Sequence, residues 1–150
     1  MLIVFRAGEL RLAIDARHVQ EVSRVLPLSA PLPNSRGVAG MVTFRGSPTA
    51  VIDLNIALNV PCGQRDRCAR MIAVRHRGST VCLLVDQIDG LQNVTAADLE
   101  RPPSVIADLH GGCLDYVTRS EAGELVGVID VDRVLSQAGP AGIEVDGSSA

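Results

Sequence analysis

The sequence predicts an all-β protein built from two copies of one small strand unit, each copy a compact barrel or sandwich. Three observations lead there. With no Trp, one Tyr (Tyr116) and two Phe (Phe5, Phe44), a chain that is 47% hydrophobic must pack on Val, Ile, Leu and Ala, and β-branched residues favour strands. The apolar runs are short and separated by Gly- and Pro-bearing turns, the pattern of small barrels. The order of those runs also occurs twice.

The first copy opens with "MLIVFRAGELRLAIDARHVQEV" (1–22) and the second with "MIAVRHRGSTVCLLVDQIDGLQNV" (71–94). Met1 matches Met71, Val4 matches Val74, Gly8 matches Gly78 and, after a one-residue slip, Asp15 matches Asp86. Each copy begins with an apolar strand, turns at glycine, and returns as a second strand ending in a hydrophobic residue and an aspartate. A further short run follows, then a proline-bearing segment, "PLSAPLPNSRG" (27–37) or "LERPPSV" (99–105). Each closes with a hairpin and the tripeptide "VID", in "VTFRGSPTAVIDL" (42–54) and "YVTRSEAGELVGVIDVDRVL" (116–135). Behind it, Leu54 and Leu58 lie four apart, and Val131, Val134 and Leu135 share a helical face, so a short helix follows each copy. Asp53 and Asp130 stand where a helix cap is expected.

A unit of about 70 residues buries only about 60% of its unfolded surface, so the two copies are expected to pack together over a third apolar interface. Residues 1–136 read as one domain, with subdomains at roughly 1–60 and 70–125 and a last strand and helix (126–136) returning to the first. Residues 137–150, small and Gly-rich, read as a flexible tail.

No apolar run is long enough for a bilayer, and "MLIVFRAGEL" is too short and too soon charged for a signal peptide. The chain is expected to be soluble and cytoplasmic. It carries 17 acidic residues against 14 basic ones, a net charge of −3, and every base is Arg. The cluster Arg65, Arg67, Arg70, Arg75, Arg77 has no aromatic among it, which argues against nucleic acid. None of the cysteines Cys62, Cys68, Cys82 and Cys113 forms a C-x-x-C pair. Cys82, inside "TVCLLV", reads as a buried thiol, and a zinc or redox site built on Cys62, Cys68 and His76 is the alternative to test. No metal or cofactor is expected.

One aspartate per copy invites an aspartic-protease reading, in which two carboxylates share a proton. The residues that follow, Leu54-Asn55 and Val131-Asp132, are not the small residue and glycine that such a site needs. No G-x-S-x-G, P-loop, G-x-G-x-x-G or H-E-x-x-H occurs. His18, beside Val19 and Val22, and the pair Gly111-Gly112 read as structural. Recognition of other proteins remains, with Arg45, an interface-prone residue type at a turn, and Glu21 on the third run as candidates.

"HVQEV", then "PLP…GVAGMVTFRGSPTAVIDL", the segment 71–94 and the closing "GELVGVIDVDRVL" together resemble the CheW family of chemotaxis coupling proteins. The likeness runs from residue 1 to about 136, and its most specific part is the Arg45-Gly46 element followed by V-I-D-L. It departs from the family at Ala50, where a proline is usual, and at Asn55, where a basic residue is common. The resemblance implies two five-stranded barrels of the Src-homology-3-like kind and a non-enzymatic adaptor. That adaptor would link the cytoplasmic helical tips of chemoreceptors to the regulatory domain of a histidine kinase, recruited to membrane receptor arrays and able to self-associate there. In the family one barrel docks on the kinase and a groove between barrels takes the receptor helix. Carried over residue by residue, the partner-binding positions are Val19, Glu21, Gly40, Arg45 and Val85. The alternative within the same resemblance is a scaffold of a chemosensory pathway unconnected with flagella that has lost or changed one partner.

Overall fold

The computed structural model describes residues 1–29, 37–61, 65–104 and 112–137. Among the described residues ten strands carry the fold: β1 (Leu2–Ala7), β2 (Leu10–Asp15), β3 (Val19–Arg24), β4 (Val38–Phe44), β5 (Ser47–Asp53), β6 (Arg70–His76), β7 (Ser79–Val85), β8 (Gln87–Gln92), β9 (Leu114–Arg119) and β10 (Leu125–Ile129). The short helices α1 (Leu54–Ala57) and α2 (Val131–Gln137) follow the two "VID" strands. None of the described helices is long and apolar enough to cross a membrane. The expected tail falls, from residue 138 on, outside the described residues.

The strands form two five-stranded sheets, ordered β8-β1-β2-β10-β9 and β3-β6-β7-β5-β4. Replacing each strand by its counterpart in the other copy (β1 by β6, β2 by β7, β8 by β3, β9 by β4, β10 by β5) turns the first order into the second. The duplication is thus written into the topology. It also corrects the expected boundaries at 1–60 and 70–125. Each sheet takes the first hairpin of one copy and the last three strands of the other, so one barrel runs unbroken over 19–85 and the other is made of the two ends of the chain.

Local geometry directs the exchange. After β2 the chain enters a 3₁₀ turn at Ala16–His18, capped by the Asp15 carboxylate accepting from the Arg17 amide, and β3 leaves to pair with β6. After β7 the single residue Asp86, whose amide donates to the Arg6 carbonyl at 3.0 Å, carries the chain across to β8 on β1. Strand pairing joins segments far apart in sequence, and local patterning does not state it.

Alternation along the strands allots side chains to three cores. On β1, Leu2 and Val4 fill the first barrel while Ile3, Phe5 and Ala7 face the second sheet. On β6 and β7, Met71, Ala73, Cys82 and Leu84 fill the second barrel. Their neighbours Ile72, Val74, Val81, Leu83 and Val85 join Phe5, Leu12 and Ile14 in a shared core. Strands buried on both faces read as continuous apolar runs, which is the reason for "TVCLLV". The shared core, closed by Leu54 and Leu58 near α1 and by Val134 and Leu135 of α2, is the largest of the three.

Candidate partner-binding surface

The β4–β5 hairpin turns through two residues, Arg45 and Gly46, with φ of 49° and 80°. Two positive φ values give the turn whose twist matches a β-hairpin, a place where Asn-Gly is the easy choice. An arginine in the left-handed region is held there at some cost. Its guanidinium lies 5.3 Å from the centroid of the Phe44 ring, and Nη2 donates to Glu21 Oε1 at 2.5 Å. Glu21 is on β3 and Arg45 follows β4, the two edge strands of the same sheet, so the pair spans the seam where the barrel closes. With side-chain exposures of 62% and 38% it adds only about 0–1 kcal/mol of stability. Its effect is positional: a cation with a fixed direction, presented to solvent. In the other barrel the counterpart seam is bridged differently, by Gln92 Nε2 donating to the Arg119 carbonyl at 2.9 Å.

The remaining expected positions separate by burial. Val19, opposite Val74, is half-buried against the shared core and keeps an accessible edge. Gly40 serves the architecture. It sits at a bulge in the β4–β5 ladder with φ 155°, and a Cβ there would lie 2.1 Å from the Ser29 carbonyl oxygen. The close approach arises because the Ser29 amide donates to the Met41 carbonyl at 2.9 Å, pulling the chain beyond β3 onto β4. Val85, expected as a contact residue, is fully buried. It alternates with Val81 and Leu83 into the shared core, so no partner reaches it in this conformation.

Asp53 and Asp130 both cap, as the helical spacing behind them predicts. Asp53 Oδ1 accepts from the Asn55 amide at 3.0 Å, and Asp130 Oδ1 accepts from the Arg133 amide at 3.3 Å. Each carboxylate is engaged with its own helix start, which removes the basis for a shared-proton pair. Asp53 does more. Arg65 donates to it through both terminal nitrogens at 2.8 Å, and Arg65 Nε lies 2.9 Å from Asp86 Oδ1. Asp86 Oδ2 accepts from the Gly8 amide at 2.6 Å and from Asn55 Nδ2 at 3.1 Å. One arginine therefore ties the end of β5, the β7–β8 crossing and the β1–β2 turn across the two barrels. Sequence reasoning missed it: Arg65 stands in an aperiodic stretch and read as one of a basic group.

The described thiols are placed unevenly. Cys68 is exposed, and Cys82 and Cys113 are buried. Cys62 lies outside the described residues. Among those residues no group of three or more His, Cys, Asp and Glu is arranged to hold a metal, and His76 Nδ1 lies 2.9 Å from Asp132 Oδ1. Burial pushes the Cys82 thiol up to about 11, with the Glu21 carboxylate adding to it, and Cys113 likewise to about 11. An unfolded thiol ionises near 9.0, so the stability gained by keeping both protonated is complete below pH 9 and lost as pH rises from 9 towards 11. Thermal melts across that range should fall less steeply for Cys113→Ala than for the parent. Parallel slopes would show that the thiol does not titrate as its burial requires.

Comparison with known proteins gives one consistent family. The CheW-like domain profile matches residues 1–139. The chain is 24% identical over 136 residues to the chemotaxis protein CheW of Bacillus subtilis (strain 168), covering 91% of this chain and 86% of that protein. It is 26% identical over 108 residues to a probable chemotaxis protein CheW of Rhizobium etli, covering 72% of this chain and 70% of that one. Among solved structures, the scaffolding protein TtCheW of Thermoanaerobacter tengcongensis superposes with a TM-score of 0.75 at 21% identity, over 86% of this chain and 87% of that one.

Proposed function

The chain belongs to the CheW-like domain family, non-enzymatic scaffolds of chemotaxis, and from that premise we propose that it couples the cytoplasmic helical tip of chemoreceptors to the regulatory domain of a histidine kinase. The protein supplies contacts and geometry: holding both partners in one assembly lets a receptor's conformational change bias the kinase, with no covalent step. The observation that supports the reading best is Arg45, an exposed guanidinium held at a left-handed turn by Glu21 and the Phe44 ring. Arginine is among the residues that most often dominate protein interfaces. Val19 and Glu21, on the adjoining edge strand, complete the surface, and Gly40 keeps β4 in place beneath it.

Arg45→Glu sets two carboxylates at the seam and reverses the presented charge. Calorimetric titration against each partner separately is expected to show at least about a tenfold loss of affinity for one of them. Stability should change by no more than about 1 kcal/mol, because the pair is exposed. Parent-like binding of both partners by a folded variant would remove Arg45 from the surface.

A further inference from the structure

Six arginines among the described residues sit against carboxylates: Arg6 and Arg11 against Asp89, Arg17 against Asp15, Arg45 against Glu21, Arg65 against Asp53 and Asp86, and Arg133 against Asp130. Of the other described arginines, which make no such pair, Arg24, Arg67 and Arg70 stand together. The β3–β6 ladder sets Arg24 directly opposite Arg70, an arrangement in which like charges repel. Arg70 Nη1 donates to the carbonyl oxygens of Arg67 and Ala69 at 2.7 and 2.8 Å, which holds its guanidinium over the turn carrying Arg67. Arg24 and Arg67 are exposed. Asp66 is the acid of this turn, and its Oδ1 accepts from the Cys68 amide at 2.7 Å.

Two further features adjoin the cluster. β3 is an edge strand, with one side unpaired by any other strand of its sheet. Val22, two residues before Arg24 and on the same face, is 39% exposed, and Val25 just beyond is 41% exposed. Glu21 lies an odd number of residues from Arg24, so the Arg45 pair belongs to the opposite face of the strand. The two surfaces share the edge strand β3 and the seam beside it but lie on its opposite faces.

We propose that Arg24, Arg67 and Arg70 form a docking point for an acidic, extended segment of a partner protein, laid along the free edge of β3. Its carboxylates would meet the guanidinium groups, whose planar forks suit them, and an aliphatic side chain would cover Val22. Such a ligand relieves the repulsion that the empty ladder retains. Neither β3 nor residues 65–70 carry an aromatic ring on which a base could stack, which favours protein over nucleic acid. The side chains it uses are not those of the Arg45 surface, so Arg24→Glu and Arg45→Glu test the two readings separately.

The test is fluorescence anisotropy on the full chain with three dye-labelled probes: a short peptide alternating Glu and Val, its Lys-for-Glu counterpart, and a single-stranded oligonucleotide. The acidic peptide should bind, weaken with added salt, and lose at least about tenfold in affinity with Arg24→Glu. The Lys peptide should not bind. Arg24→Glu also places opposite charges across the ladder, so its melting temperature should equal or exceed the parent's. Arg67→Glu, in the turn and outside the ladder, should weaken binding with the melting temperature unchanged, which keeps the test open should Arg24→Glu disturb the strand. Equal binding of the acidic peptide by parent and both variants, or none by the parent, overturns the proposal. So does Arg24-dependent binding of the oligonucleotide alone.

Discussion

Replacing Phe5 with alanine is expected to cost about 3–5 kcal/mol, the range for emptying a fully buried aromatic site, and to melt both barrels together. Phe5 is fully buried in the shared core, on a strand paired with both β2 and β8. Small domains have about 5–15 kcal/mol in total, so the loss is a large share. The cooperativity follows from the strand exchange. Removing packing at β1 loosens the sheet that holds the chain's two ends, and the same cavity faces Ile72, Val74 and Leu83 of the other sheet. Urea denaturation should show a single transition at a lower midpoint. Hydrogen exchange should show protection lost over 19–85 as well as over β1 and β2. Retained protection in 19–85 after β1 has opened would show that the barrels are separate folding units.

Arg65→Ala ranks next, at about 2–4 kcal/mol. Breaking a buried ion pair on one side costs about 3–5 kcal/mol because the partner's charge stays buried. Here the upper end is not reached, since Asp86 is 27% exposed while Asp53 is 10% exposed. The loss should appear in the urea midpoint and as faster amide exchange at Asn55 and Ile56, whose N–H groups bond to Asp53. A midpoint shift below about 1 kcal/mol would mean that water replaces the guanidinium and the bridge across the barrels is ornamental.

Particular residues show how far the sequence carried. The spacing of Leu54 and Leu58 behind "VID", and of Val131 and Val134 behind its copy, was enough to read Asp53 and Asp130 as caps, since capping is decided within a few residues. The apolar run "TVCLLV" was enough to read Cys82 as a buried thiol, and it is buried. Arg45 and Glu21 could be nominated from residue type and a turn position, and the resemblance to a family added Val19, Gly40 and Val85, but no local pattern said that Arg45 and Glu21 meet. Val85 came with them and is enclosed, as a run apolar at every position does not say which face a partner can reach. Arg65 and Asp86, 21 positions apart in sequence, carried no signal that they meet.

What the sequence determined by itself is the set of strands, their turns, their caps and their duplication. All are short-range choices of period, glycine and aspartate, made within a few residues. Tertiary structure alone decided which hairpin each third strand joins, and with it the two-ended barrel, the shared core and the seam on which Arg45 and Glu21 meet. Any edge strand can satisfy another's N–H and C=O groups. β3 and β8 bury no residue fully, so their own patterns do not select β6 and β1 as partners, and that selection depends on the packing of the whole folded chain.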